Sequence, residues 1–172
     1  MTPIQDRVAT AIEKLKQDCT LDDVNRFLQR GFQGNFTVAG YAPNDQAVAT
    51  YVGAVSGAFY THSGQLLTTQ YRECALVALL ASQGAERNLA IHLFIALLAG
   101  VSVDDVVDLL FLSGVYSGAN FLTQSMRVAT KTFDAIAQAA DDGVVGCEAI
   151  FRAIGSRFPD ALYEAAVSRL TR

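Results

Sequence analysis

No tryptophan occurs in this chain, and proline, histidine and cysteine are scarce, at three, two and three residues in 172. Each shortage narrows what the protein can do. Two histidines and dispersed cysteines do not supply the three or four converging ligands of a zinc centre, so no metal is expected. Cys19, Cys74 and Cys147 form neither a Cys-x-x-Cys pair nor a disulfide framework, a usage that fits a reducing compartment. Lysine and arginine are not clustered and the net charge is −4, which argues against nucleic acid as a partner. No glycine-rich phosphate loop and no G-x-S-x-G elbow appears, and no cofactor is expected. The start, residues 1–16, has no apolar signal region. The most apolar runs are interrupted by Glu86, Arg87, His92, Asp104, Asp105 and Asp108, so none offers the ~20 apolar residues of a membrane span. These features together predict a soluble, cytoplasmic protein.

What is present is apolar and helical. Half the residues (51%) are hydrophobic, only 17% are charged, and the mean hydropathy is +0.26. That balance excludes disorder and suggests apolar surface hidden in a homo-oligomer. Ile4, Val8, Ile12 and Leu15 recur at helical spacing behind Thr2-Pro3, a cap and first-turn proline. Thr20 and Asp23 mark a second start, which Gly31 should end, and residues 33–44 read as irregular. A third helix is expected from about Asp45 to Tyr60, followed by a break at Ser63-Gly64. Thr69 should cap the helix that carries Glu73. Gly84 separates it from the next, which runs to Gly100. Ser102 with Asp105 opens another by capping logic. Residues 113–120 read as a bend, 121–140 as a long helix stopped by Asp141-Asp142-Gly143, and two short helices close the chain. No strand-like alternation survives. The expected architecture is one all-α domain over residues 1–172, a helical bundle.

Within it, Glu73 and His92 stand in the most apolar stretch, residues 73–120. An ionisable group buried there needs a partner. If the helices flanking Gly84 form an antiparallel hairpin, Glu73 and His92 lie about 16 and 12 Å from the turn at 1.5 Å per residue. Both share their faces with apolar residues (Leu76, Val77 and Leu80; Leu89, Ile95 and Ala96), so the side chains are placed to meet. A carboxylate beside an imidazole supplies a proton donor and acceptor, as general acid–base catalysis requires. The alternatives are a helix-dipole acid at Glu73 and a core histidine bonded to a carbonyl.

These residues also carry a resemblance. Glu73, His92 nineteen residues later, the run Gly100-Val101-Ser102-Val103-Asp104-Asp105, and then Tyr116-Ser117-Gly118 resemble the carboxymuconolactone decarboxylase family, which includes the alkylhydroperoxidase-D-like proteins. The likeness covers about residues 60–135, with helical extensions on either side. It implies the all-helical alkylhydroperoxidase-D-like fold, assembly as a homotrimer or homohexamer, and Glu73 and His92 as the family's acid and histidine. The peroxidase branch carries a Cys-x-x-Cys where this chain has Ala85 and Asn88. A thiol peroxidase needs a reactive thiolate with a resolving partner, so that activity is not expected.

The resemblance then implies a lyase without redox cofactor, acting on a small organic acid or lactone. His92 would be the proton donor or shuttle and Glu73 its orienting partner. Tyr116 and Asn88 are the candidate substrate-binding residues, although Asn88 stands where decarboxylases of this type carry an acid. Arg72, Arg87 and Arg127 are the cations nearest in sequence for a substrate carboxylate, and each reads first as a solvated surface charge. The rival expectation is a helical oligomerisation or small-ligand-binding protein that keeps the fold without the chemistry.

Overall fold

The computed structural model describes residues 3–38, 45–56 and 67–159. These residues form eight helices and no strand. They fall into two compact units. One comprises residues 1–20 and 67–158, the other residues 21–66 and 159–172. The expected breaks and helices at residues 39–44, 57–66 and 160–172, together with His62, lie outside the described residues.

The smaller unit holds α2 (Leu21–Val38) and α3 (Gln46–Ser56), which pack on each other. Gly31 does not end α2. A single glycine weakens a helix by about 1 kcal/mol, less than the apolar stripe of a long helix can offset. The helix continues through residue 38, into what reads in sequence as an irregular stretch. Asp45 caps α3 by accepting hydrogen bonds from the backbone N–H groups of Ala47 (2.8 Å) and Val48 (3.1 Å). Val48 and Val52 are buried.

The larger unit holds α1 (Pro3–Leu15), α4 (Thr69–Gln83), α5 (Glu86–Leu98), α6 (Val103–Ser117), α7 (Ala119–Asp141) and α8 (Cys147–Gly155). Its centre is α5, where every residue from Leu89 to Leu98 except His92 is buried. A helix apolar all round must be surrounded, and α4, α7 and α8 pack against it. Phe94 meets Phe151 of α8 edge-to-face, with ring centroids 5.5 Å apart. Val8, Ile12 and Leu15 form the buried stripe of α1, which lies along α7 and is held there by Arg7 and Asp141 at 2.7 Å.

Sequence signals set most of these boundaries. Ser102 Oγ accepts from Asp105 N–H at 3.0 Å and opens α6. The start of α4 falls one residue earlier than expected: Thr68 is the cap, accepting from Tyr71 N–H. The bend expected over residues 113–120 contracts to Gly118 alone, at φ 102°, because residues 113–117 complete the last turn of α6. Gly114 allows that tight return. A Cβ there would lie 2.5 Å from Cβ of Leu122 on α7.

The cysteines require a correction. Cys19 and Cys147 are bonded as a disulfide, with Cα atoms 4.5 Å apart and 128 residues between them. Both are buried. The link joins the segment after α1 to the first residue of α8, and only tertiary folding brings these positions together. Cys74 is the free cysteine.

Among the described residues no helix is long and apolar enough to cross a membrane.

Candidate active site

Gly84 builds the hairpin that carries the site. It sits in the left-handed region (φ 67°, ψ 24°), where glycine has no Cβ penalty. Its N–H donates to Ala81 O at 3.2 Å and the N–H of Ala85 donates to Leu80 O at 3.1 Å. This is the Schellman closure of α4, and it turns the chain directly into α5. Glu86 at the start of α5 accepts from Gln124 of α7 at 3.1 Å, which ties the turn to α7.

The hairpin brings Glu73 and His92 into contact. Oε2 of Glu73 and Nδ1 of His92 are 2.8 Å apart. Glu73 is 1% exposed and the His92 side chain is 17% exposed. An ionised carboxylate only accepts hydrogen bonds, so with Glu73 ionised Nδ1–H of the imidazole would be the donor and Nε2 would be left outside that bond. The acid is thus sealed beneath the histidine, and the histidine reaches the surface of the bundle.

Cys74 follows Glu73 on α4 and is half-buried. Its thiol is pushed above the ordinary range, first by burial, then by the charges of Asp105 and Glu73. That is the reverse of an activated cysteine.

The other predicted residues occupy different positions. Asn88 lies one turn ahead of His92 on α5 and is exposed. Tyr116 stands in the last turn of α6 and is 85% exposed. Neither hydrogen-bonds to the pair. Of the three arginines, Arg127 is exposed, and Arg72 is half-buried with Nη2 donating to Thr69 Oγ1 at 3.1 Å. Arg87 is not a surface charge. It is 8% exposed, and its Nη1 donates to the carbonyl oxygen of Phe158 at 3.1 Å. Sequence reasoning missed this because the acceptor is a backbone carbonyl 71 residues away. No group of three or more His, Cys, Asp or Glu among the described residues is arranged to hold a metal ion.

The sequence model of the Carboxymuconolactone decarboxylase family matches residues 46–131, which contain α3 to α6, the first half of α7 and both members of the Glu73–His92 pair. The chain belongs to the carboxymuconolactone decarboxylase family. Its matched region begins at α3, earlier than the resemblance over residues 60–135 suggests. No curated protein and no solved structure matches this family member.

Proposed function

We propose that this member of the family is an acid–base lyase acting on a small organic acid or lactone, with Glu73 and His92 as its proton relay. The observation that carries the reading is the 2.8 Å hydrogen bond between a buried carboxylate and a partly exposed imidazole. Such a pair is an expensive way to fill a core that Leu or Met would fill more favourably. In the reaction, the bond from the substrate carbon to its carboxylate breaks and carbon dioxide departs. The electron pair remains on the substrate as an enolate, and His92, which first takes up a proton from water at Nε2, delivers that proton to carbon. Glu73 holds Nδ1–H throughout and stabilises the charge the ring carries before transfer. Asn88, exposed one turn from His92, is the nearest candidate to hydrogen-bond a substrate oxygen. Tyr116 serves the site only if substrate or a second copy covers the end of α6.

The test is turnover of a panel of lactone acids, read as carbon dioxide release, by wild type, Glu73→Gln and His92→Asn. Helicity is checked in parallel by circular dichroism. Loss of about 100-fold or more in the folded His92 variant, in the range general acid–base catalysis supplies, supports the relay. Turnover unchanged in both variants removes these residues from the mechanism.

A second reading has its own observation. Phe111, Leu112, Val115 and Tyr116 of α6 are all exposed, as are Tyr71 and Leu79 of α4. This apolar surface suits a homotrimer or homohexamer, and a protein whose role is assembly or ligand binding would keep it without turnover. Light scattering on a sizing column tests the assembly. A species of 18.4 kDa would contradict it.

A further inference from the structure

We propose that the Cys19–Cys147 disulfide is a reversible thiol-exchange site, attacked at Cys147 by a small dithiol or by glutathione, and that its reduction loosens α8 from α5.

Three observations combine. The two cysteines differ in their surroundings. Cys19 is 1% exposed, whereas Cys147 is 7% exposed and borders an open depression of about 760 Å³ formed with Gly146, Arg152 and Ser156. Cys147 is also the first residue of the nine-residue α8, where backbone N–H groups and the helix dipole favour a thiolate. The adjacent Glu148 opposes this, but its carboxylate is paired with Arg152 at 3.0 Å. Finally, α8 is too short to persist by itself and depends on what fastens it. The disulfide holds its start. Beyond its end, Arg87 of α5 holds the carbonyl of Phe158, and in between Phe151 rests on Phe94.

The exchange balances with one dithiol, or with two molecules of glutathione, the second of which takes the part of the second thiol. A thiolate of the dithiol attacks Sγ of Cys147, the S–S bond breaks, and Sγ of Cys19 leaves with the electron pair and takes a proton from water. The second thiol of the reductant then attacks its own sulfur in the mixed disulfide and expels the Cys147 thiolate. Two electrons pass to the protein and the reductant leaves as a disulfide. A low-lying thiolate as the final leaving group speeds that step, which is the chemical value of Cys147 at a helix N-terminus. The consequence reaches the candidate active site because Phe94, which supports Phe151, lies two residues beyond His92 on α5.

The test uses the full chain in native buffer with graded ratios of reduced to oxidised dithiothreitol. Quenching with iodoacetamide and mass spectrometry should show Cys19 and Cys147 labelled together without denaturant, to an extent that falls again when oxidised dithiothreitol is restored before the quench. Hydrogen exchange on the same samples should show amides of residues 147–155 and 89–94 exchanging at least tenfold faster in the reduced protein, with residues 106–110 unchanged. The Cys19→Ala/Cys147→Ala double variant should exchange like reduced wild type and ignore dithiothreitol. Labelling that requires urea, or reduction that leaves residues 147–155 as protected as before, would overturn the proposal. A response to dithiothreitol in the double variant would overturn it too. For the order of attack, Cys147 in Cys19→Ser should form a mixed disulfide with oxidised glutathione at least tenfold faster than Cys19 in Cys147→Ser. Equal or reversed rates would overturn attack at Cys147.

Discussion

Arg87 reaches from the first turn of α5 to the carbonyl oxygen of Phe158, 3.1 Å from Nη1, and passes directly under Gly155. A Cβ at Gly155 would lie 2.7 Å from Nη2 of Arg87 and 3.2 Å from Cζ. The guanidinium is held by the hydrogen bond it makes, so it cannot withdraw without losing it. Overpacking of this kind costs about 1–3 kcal/mol, against a helix-propensity gain for alanine of about 0.5–1 kcal/mol. Gly155→Ala is therefore expected to lower stability by about 1 kcal/mol, the difference between the middles of those two ranges. Urea denaturation measures it, and an unchanged midpoint would show that Arg87 moves aside freely.

Cys74 offers a check on the electrostatics around the site. Burial, then Asp105 and Glu73, raise its thiol above the ordinary 9.0. Alkylation of the oxidised protein by iodoacetamide should thus be slower at pH 8 than for an unhindered thiol, with a pH–rate midpoint above 9.0. Asp105→Asn should move that midpoint down and speed the reaction. A midpoint below the ordinary value would mean that an unrecognised cation sits beside the sulfur.

The tie between Arg7 and Asp141 predicts an acid-side effect. The hydrogen bond from Arg7 is the main cause that holds the Asp141 carboxyl below its usual 3.8; desolvation opposes it, and the charges of Arg7 and Lys14 add to the lowering. A depressed carboxyl stabilises the fold above its unfolded value, and that contribution fades as pH falls through the folded one. The stability difference between wild type and Asp141→Asn should accordingly be largest above about pH 5 and close below the ordinary carboxylate range. Both partners are exposed, so the difference should be small and should shrink in high salt. A gap that widens on acidification would contradict the assignment.

How far the sequence anticipates the structure depends on the range of each interaction. Ser102, Gly84 and Asp141-Asp142-Gly143 act on neighbours within a turn, and the elements they bound appear where those residues place them. Gly31 misleads because a glycine is a weak stop when apolar periodicity continues past it. Glu73 and His92 are legible because a tight turn links their helices, so spacing from Gly84 converts into position along a hairpin. Arg87 and the cysteines are not. Their partners lie 71 and 128 residues away, and no local pattern encodes such a meeting. Substrate recognition is not local for a related reason: the Glu73–His92 pair comes from one hairpin, whereas a substrate is recognised by whatever surrounds it.

In the proposed relay Glu73 fixes the His92 ring with a proton on Nδ1, which leaves Nε2 to exchange a proton with substrate. Long-range ¹H–¹⁵N correlation on ¹⁵N-histidine-labelled protein reads both ring nitrogens directly. In its neutral form the wild-type His92 ring should be protonated at Nδ1 and bare at Nε2, and Glu73→Gln should shift that population towards the Nε2–H form. A wild-type ring protonated at Nε2, unaltered by Glu73→Gln, would contradict the relay.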